Sequence, residues 1–202
     1  MYKIAILGKA NSGKNTLGRM LTRELRNHVF DTQNKYMYAK YLAFADPMKE
    51  MIGTMHPDLP RKFLYGSSKY RDEIIPGSFK NNVPLTIRQL LIDLGTAGRE
   101  YNPNIWIENF DKRYHDRDMH IIQCLTVTDV RFRNEFDYLR QNNFYLIRLY
   151  RDMNHPDIQH ISETGQDDIK NNEFDYVLHN NKSLKDLKFE VSQFIIPKLR
   201  SM

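Results

Sequence analysis

Cysteine is almost missing from this chain of 202 residues, where Cys124 is the only one. A single cysteine excludes an internal disulfide, and its apolar neighbours predict a buried, inert thiol. Long apolar runs are also missing, because no stretch approaches the roughly 18 residues that a membrane span requires. The first residues enter a strand-like run at once, so we expect no signal peptide. Together these absences predict a cytoplasmic protein, in the host cytoplasm for a viral source.

Signatures of zinc sites and of nucleic-acid recognition are missing as well. The histidines His115, His120, His155 and His160 lack the spacing and the companion ligands of a zinc site, so we assign them no metal. The formal net charge is +5, but the lysines and arginines are dispersed along the chain. We therefore interpret the positive charge as serving small phosphorylated substrates in a pocket. A nucleic-acid-binding protein is the less favoured alternative.

A glycine-bounded loop after the first apolar run is the most informative feature that is present. Residues Gly8 to Thr16 fit the pattern G-x-x-x-x-G-K, with Asn15 where Ser or Thr is usual and Thr16 one position later. Backbone N–H groups of such a loop surround a triphosphate, the lysine neutralises phosphate charge and a hydroxyl reaches Mg²⁺. The run Tyr2 to Leu7 and the helical spacing of apolar residues after Lys14 supply the required strand and helix. The alternative is a turn whose glycines only reverse the chain.

Strands and helices alternate along the chain, which favours a parallel sheet with crossover helices. We predict an α/β fold with a doubly wound parallel sheet of about five strands, flanked by helices. Residues 56–85 contain four prolines and are predicted to be loop-rich and mobile, and Gly95 is expected to end or bend the helix that Thr86 caps. Helices are expected to begin near residues 14, 46, 86, 104, 134 and 184, and strands to cover residues 2–7, 41–45, 120–128, 144–150 and 174–178.

Charged residues at predicted strand ends are candidates for the chemistry. Asp129 follows the third predicted strand, where the carboxyl edge of a parallel sheet lies beside the phosphate loop. A carboxylate there can hold the water shell of Mg²⁺, and capping of the next helix is the alternative. Arg131 points the same way in an extended chain, and its guanidinium matches a phosphate. Arg151 is placed to reach the donor nucleotide, whereas Arg133 also fits a solvated surface charge.

Residues of the middle segment are candidates for an acceptor site. Asp46 and Lys49 follow the second predicted strand, and Asp46 equally fits a helix cap. Arg88 and Arg99 flank an apolar helix, and phosphoryl transfer between two anionic nucleotides requires several cations. Either arginine alone also fits a plain surface position. For Trp106, the only tryptophan, we expect a packing role, and stacking on a nucleotide base is the less favoured alternative.

Several blocks of the chain match one known pattern. Gly13-Lys14-Asn15-Thr16 is similar to the Gly-Lys-x-Thr form of nucleoside monophosphate kinases. A second block is Asp129-Val130-Arg131-Phe132-Arg133-Asn134-Glu135, the most specific of all. The others are Phe44 to Glu50, Thr86 to Leu91, Gly95-Thr96, Arg99, Trp106 and His160 to Glu163. With these blocks together, the chain resembles phage-type deoxynucleoside monophosphate kinases over about residues 2–190.

The resemblance implies a P-loop NTPase-type kinase that moves the γ-phosphoryl of ATP to a deoxynucleoside monophosphate, with Mg²⁺, for DNA precursor synthesis. It implies one kinase domain over residues 1–202, with a helical, loop-rich acceptor-binding insertion at 47–118 and a lid-like connection at 151–166. The implied ATP-binding residues are Gly8, Lys9, Asn11, Ser12, Gly13, Lys14, Asn15, Thr16, Arg151 and Asn180. The implied acceptor-binding residues are Asp46, Lys49, Arg88, Thr96, Arg99, Trp106, Asp129 and Arg131. The implied catalytic residues are Lys14, Arg88, Asp129 and Arg131, and the implied metal ligands are Thr16 and Asp129.

The chain departs from the family pattern in three places, at two single residues and in one connection. Asn15 replaces the usual Asp or Gly, which removes a carboxylate near the phosphates. Ala97 stands where the family often has Glu. The connection from Asp152 to Glu163 carries no arginine, so a catalytic arginine must come from elsewhere.

Two other functions stay open. A dephospho-coenzyme A kinase shares the loop, the aspartate after the second strand and the asparagine-containing turn near Asn180, although the block from Asp129 argues against it. A nucleotide-dependent switch is the non-enzyme alternative, but the nearest base-reading string, Asn34-Lys35-Tyr36-Met37, lacks its final aspartate. The preferred base, the selectivity for deoxyribose and the oligomeric state, including a homodimer, are not determined by the sequence.

Overall fold

The computed structural model describes residues 1–152 and 165–201. The chain forms two compact units. We call residues 1–43, together with the chain from Tyr114 onward, the sheet unit, and residues 44–113 the insert unit. Most of the predicted lid-like connection at 151–166, including the block from His160 to Glu163, lies outside the described residues.

The strands and helices have the following bounds. The strands are β1 (Tyr2–Leu7), β2 (Ala39–Tyr41), β3 (Ile74–Lys80), β4 (Val83–Thr86), β5 (Cys124–Val130), β6 (Tyr145–Tyr150) and β7 (Tyr176–His179). The helices are α1 (Lys14–Gln33), α2 (Asp46–Met55), α3 (Arg61–Tyr65), α4 (Ile87–Tyr101), α5 (Ile105–Tyr114), α6 (Arg133–Gln141), α7 (Leu184–Glu190) and α8 (Ile196–Arg200). A π-helical turn, Val191–Ile195, joins α7 to α8, and short 3₁₀ turns occupy Ser68–Asp72, Arg117–Ile121 and Asn171–Glu173.

The sheet unit is built on five parallel strands in the order β2-β5-β1-β6-β7, which confirms the predicted doubly wound sheet. Strand β1 is central, and Ile4 to Leu7 are fully buried, as expected for a parallel strand covered on both faces. Apolar residues of α1 recur at helical spacing and pack against this sheet, with Leu17, Leu21 and Leu25 fully buried. Because strands lie on both sides of β1, a ligand crevice is expected at its carboxyl end.

The insert unit consists of α2 to α5 and an antiparallel hairpin of β3 and β4. Its core is formed by Ile52, Leu64, Ile75 and Ile87, which are almost fully buried. The hairpin corrects the prediction of a loop-rich segment at 56–85. Its strands are joined by Asn81-Asn82, both with positive φ, the backbone of a tight two-residue hairpin turn. That asparagine pair, placed between two strand-like runs, was the sequence signal from which the hairpin could have been predicted.

Two predicted strand boundaries were also wrong, and of the two alternatives for Gly95 the structure excludes the end of the helix. Strand β2 lies at Ala39–Tyr41, before the apolar run that suggested 41–45. Strand β5 begins only at Cys124, because a 3₁₀ turn precedes it. Helix α4 continues through Gly95 to Tyr101, and a Cβ at Gly95 would lie 3.3 Å from Met48 Sδ, so this glycine permits close helix packing. The predicted cap of α4 is confirmed, since Thr86 Oγ1 accepts a hydrogen bond from Gln89 N.

Cys124 is fully buried, as predicted, and burial raises the pKa of its thiol. Within residues 1–152 and 165–201, no helix is both long and apolar enough to cross a membrane.

Candidate active site

The loop after β1 depends on two glycines for its shape. A Cβ at Gly8 would lie 2.4 Å from the carbonyl oxygen of Leu149, so only glycine permits this approach to β6. Gly13 has φ of 102°, a left-handed conformation that other residues adopt at a cost, and it immediately precedes α1. The predicted strand, loop and helix are therefore present, with the N-terminus of α1 at the end of the loop. Backbone N–H groups at the N-terminus of a helix attract negative charge, so this arrangement is suited to binding an anion.

The ammonium of Lys14 is held on the loop itself. Its Nζ donates hydrogen bonds to Gly8 O at 2.6 Å and to Lys9 O at 2.8 Å. The positive charge therefore lies at the first two residues of the loop. Lys9 is more exposed and lies 4.0 Å from Asp167, a separation at which a surface ion pair contributes little.

Asn180, at the end of β7, contacts the phosphate loop. Its Nδ2 donates a hydrogen bond to Ser12 O at 2.8 Å, and a Cβ at Gly13 would lie 2.7 Å from the same nitrogen. The next residue, Asn181, holds the chain that leaves β6, because it binds both the backbone N–H and the carboxylate of Asp152. The structure thus brings Asn180 to the loop, as the resemblance implied, from 168 residues away in sequence.

A β-bulge lies where β5 passes the phosphate loop. Ala5 pairs with Val127 and Leu7 with Val130, so β5 contains one residue more than β1 across this interval. Thr128 lies in the bulge, and its hydroxyl donates a 2.8 Å hydrogen bond to Asn15 Oδ1. Asp129 follows directly and is still part of β5, not beyond its end as predicted. Bulges redirect side chains, here at the carboxyl edge of the sheet.

A buried carboxylate outside the predicted site residues fixes the chain after Asp129. Glu135 is 2% exposed, and its Oε2 accepts hydrogen bonds from the backbone N–H groups of Arg131 and Phe132. This contact caps α6 and sets the backbone that carries Arg131. The glutamate three residues after the N-cap, Phe132, was the available signal in the sequence. Arg133 instead binds Asp137 and Glu173 at the surface, which supports its interpretation as a solvated charge.

The loop residues fit a phosphate group and Mg²⁺. Ser12 Oγ is buried within the loop and has no hydrogen-bond partner in the described part of the chain. This hydroxyl can therefore still form a hydrogen bond with a bound group. The side chains of Thr16, in the first turn of α1, and Asp129 supply oxygen atoms, the ligand type that Mg²⁺ prefers. Among residues 1–152 and 165–201, no cluster of three or more His, Cys, Asp or Glu residues has the arrangement of a metal site.

In the insert unit, the first turn of α2 holds a buried ion pair. Helix α2 begins at Asp46, so the N-cap position falls on Ala45 and not on Asp46 as predicted. Lys49 Nζ lies 2.9 Å from Asp46 Oδ1, and the two side chains are only 10% and 17% exposed. The ammonium also lies 5.3 Å from the centroid of the ring of Tyr65, a residue outside the predicted site.

Two arginines of α4 lie on one face of the helix, three turns apart. Asp72 binds Arg88 at both Nε and Nη2, at 2.6 and 3.1 Å, which fixes the direction of its guanidinium. This contact holds the pKa of Asp72 below its usual range. Arg99 Nη1 donates to Gly95 O at 3.0 Å. Thr96 is exposed on the same helix.

Trp106 occupies a packing position. It is 6% exposed, its indole N–H donates to Gly95 O, and a Cβ at Gly98 would lie 2.3 Å from its ring. The first of the two predicted roles for this residue therefore agrees with its surroundings. Arg151 follows β6 directly and is exposed.

A parallel sheet with a glycine-bounded, lysine-containing loop after its central strand is consistent with a P-loop kinase-like fold. The sequence model of the family described as deoxynucleotide monophosphate kinase matches residues 63–191, more than half of the chain. The chain therefore belongs to the deoxynucleotide monophosphate kinase family. The matched range includes Arg88, Arg99, Trp106, Asp129 and Arg131.

A viral protein is similar over nearly the full length. It comes from Acanthamoeba polyphaga mimivirus and carries the name "Putative deoxynucleotide monophosphate kinase". The identity is 28% over 201 residues, which covers 95% of this chain and 94% of the viral protein. A kinase acting on deoxynucleoside monophosphates agrees with both comparisons.

Proposed function

We propose that this protein transfers the γ-phosphoryl group of ATP to the 5′-phosphate of a deoxynucleoside monophosphate, forming the diphosphate for DNA precursor synthesis. The observation that carries the proposal is the loop geometry in a member of this family: Gly13 in a left-handed conformation, Lys14 on the loop carbonyls and Asn180 on Ser12. As part of the proposal, the enzyme works in the cytoplasm, that of the host for a viral chain.

On the donor side, the loop from Gly8 to Thr16 holds the phosphates of ATP. The ammonium of Lys14 exchanges its two carbonyl partners for phosphate oxygens, and Asn180 preserves the loop by holding Ser12 O. Thr16 and Asp129 would hold Mg²⁺, which supplies positive charge to the phosphates. Arg151 contributes a further cation to the donor.

On the acceptor side, the insert unit supplies Asp46, Lys49, Thr96 and Arg99. Within the sheet unit, Asp129 and Arg131 are assigned to the transfer itself, and Glu135 fixes the backbone that carries Arg131. Because the reaction places two anionic substrates in line, its main requirement is cations held in position before the reaction. We assign Arg88 as one of these cations, with its guanidinium oriented by the two-point contact with Asp72. Trp106 contributes by supporting α4 at Gly95.

The test is a substrate panel at fixed ATP and Mg²⁺. The four deoxynucleoside monophosphates, their ribose counterparts and dephospho-coenzyme A are each incubated with the protein, and ADP release is measured. We expect turnover with at least one deoxynucleoside monophosphate and none with dephospho-coenzyme A. The reverse result would reject the proposal in favour of the dephospho-coenzyme A kinase alternative, and ADP release with no acceptor dependence would point to a nucleotide switch.

The Lys14→Ala variant tests the donor half. We expect loss of turnover by at least about a hundredfold, because removing one preorganised charge from a transition state commonly costs this much. Lys35→Ala, an exposed lysine of the same unit, is the control. Circular dichroism and thermal unfolding establish that both variants are folded. An active, folded Lys14→Ala variant would contradict the assignment.

A further inference from the structure

Lys49 carries a buried positive charge between a carboxylate and an aromatic ring. Its side chain is 10% exposed, and Nζ lies 2.9 Å from Asp46 Oδ1 and 5.3 Å from the centroid of the Tyr65 ring. An ammonium has three N–H donors, which water satisfies at an exposed site but not at a buried one. The carboxylate and the ring therefore determine where this charge lies.

The Tyr65 ring holds cations without neutralising them. It lies at the end of α3, and the Arg61 guanidinium also lies over it, 5.1 Å from the centroid. Burial, together with the charges of Glu50 and Asp46, raises the pKa of the Tyr65 phenol, so the ring side chain stays uncharged at neutral pH. The face of a neutral ring attracts an ammonium through its quadrupole without adding negative charge, whereas a second carboxylate would make the group around Lys49 net negative.

The carboxylate next in sequence is engaged elsewhere. Glu50 forms a two-point ion pair with Arg113, which holds the pKa of Glu50 below its usual range. Arg113 is itself oriented by Asn109 through a 2.9 Å hydrogen bond. Asp46 is therefore the carboxylate within ion-pair distance of Lys49 among the described residues.

We propose that Tyr65 is a positioning residue of the acceptor site. Its ring holds the ammonium of Lys49 in place beside Asp46, so that the N–H groups of Lys49 not directed to Asp46 donate to the 5′-phosphate of the deoxynucleoside monophosphate. This inference rests on the proposed function, which assigns Lys49 to the acceptor. It extends that function to a residue that does not itself touch the reacting atoms.

Kinetics with two Tyr65 variants and one neighbour test the role of the ring. Tyr65→Leu removes the ring, Tyr65→Phe keeps it, and Phe63→Leu makes the same aromatic-to-aliphatic change on the same helix, where the ring faces Lys62 instead. For Tyr65→Leu we expect the KM for the deoxynucleoside monophosphate to rise about five- to tenfold, the effect of losing a partly buried cation–π contact. The KM for ATP and kcat should stay within about twofold. Tyr65→Phe and Phe63→Leu should match the wild type.

Three results would overturn the inference. Tyr65→Leu could leave the acceptor KM unchanged, Tyr65→Phe could be as impaired as Tyr65→Leu, or Phe63→Leu could raise the same KM equally. In the second case the hydroxyl acts and not the ring, and in the third the effect is a general disturbance of α3. Absence of wild-type turnover with every deoxynucleoside monophosphate would reject the proposed function, and the inference with it. Wild-type turnover with an unaffected Tyr65→Leu variant would reject the inference alone.

A spectroscopic measurement tests the contact without the reaction. The ε-methylene protons of Lys49, assigned by comparison with Lys49→Arg, should be shifted upfield by the ring current of Tyr65. The shift should persist in Tyr65→Phe and vanish in Tyr65→Leu. An unshifted signal in the wild type would contradict the proposed position of the ammonium.

Discussion

The hydroxyl of Thr128 donates a 2.8 Å hydrogen bond to Asn15 Oδ1, which joins the first turn of α1 to the bulge of β5. Asn15 lacks the carboxylate that is common at this position of the family pattern. Its amide instead connects the phosphate loop to the strand that carries Asp129. An aspartate at this position would offer the same acceptor atom, so the contact does not depend on the amide.

The contact between Asn15 and Thr128 should be measurable in a double-mutant cycle. Asn15→Ala, Thr128→Val and the double variant are unfolded in urea, and we expect a coupling free energy of about 0.5–1.5 kcal/mol, typical of one neutral hydrogen bond. Asn15→Asp should keep most of this stability. Since Asp129 follows Thr128, the half-saturating Mg²⁺ concentration should rise in Thr128→Val. If the two single substitutions had additive effects on the free energy of unfolding and left the half-saturating Mg²⁺ concentration unchanged, the contact would neither stabilise the protein nor position Asp129.

The left-handed Gly13 should not tolerate alanine. In Gly13→Ala the backbone conformation costs about 1–3 kcal/mol and the new Cβ would approach Asn180 Nδ2 to 2.7 Å, so we expect both unfolding at lower urea and loss of ATP binding. Gly77→Ala is the matched control, because Gly77 also has positive φ but a Cβ added there would have no atom within 4 Å among the described residues. It should lose stability without losing ATP binding, measured by calorimetry. Equal ATP affinity in Gly13→Ala and the wild type would contradict the role of the loop.

The buried carboxylate of Glu135 should contribute strongly to stability. Glu135→Ala leaves the backbone N–H groups of Arg131 and Phe132 without this acceptor, which should cost at least about 2 kcal/mol. Glu135→Gln keeps one oxygen acceptor and should cost less. Urea unfolding at pH 7 gives both values. If the two variants were equally stable, the hydrogen bonds to Glu135 would not be the source of the effect.

The pairing of Glu50 with Arg113 should make stability depend on pH. Arg113 lowers the pKa of Glu50 in the folded state below the ordinary value of 4.5. The stabilisation is therefore fully present above about pH 4.5 and is lost as pH falls through the folded-state pKa. The wild type should exceed Glu50→Gln in urea midpoint at pH 7, and this difference should shrink toward pH 3.

Glu100→Gln is the control for this titration, because Glu100 is exposed in the same unit and forms no ion pair within the described ranges. Its difference from the wild type should stay small and nearly constant across the same range. A Glu50→Gln difference that persists unchanged at pH 3 would show that the charge of Glu50 is not involved.

Local patterns predicted those parts of the fold that depend on neighbouring residues. The apolar run of β1, the glycine spacing of the loop and the cap at Thr86 are each encoded within a few positions, and each is present in the structure. Gly95 shows where this reasoning fails. A glycine is a poor helix residue by itself, but its place in α4 is decided by Met48 and by the indole of Trp106, which are distant in sequence.

The sequence by itself determined the phosphate loop, the parallel sheet and the kinds of residue that can serve a phosphoryl transfer, because periodicity, glycine placement and charge are local properties. Only the tertiary structure decided the partners: Asn180 on Ser12, Thr128 on Asn15, and Tyr65 against Lys49. The first two contacts join residues more than a hundred positions apart, across a sheet whose strand order no local pattern specifies. The third depends on side-chain burial and direction, which packing alone sets.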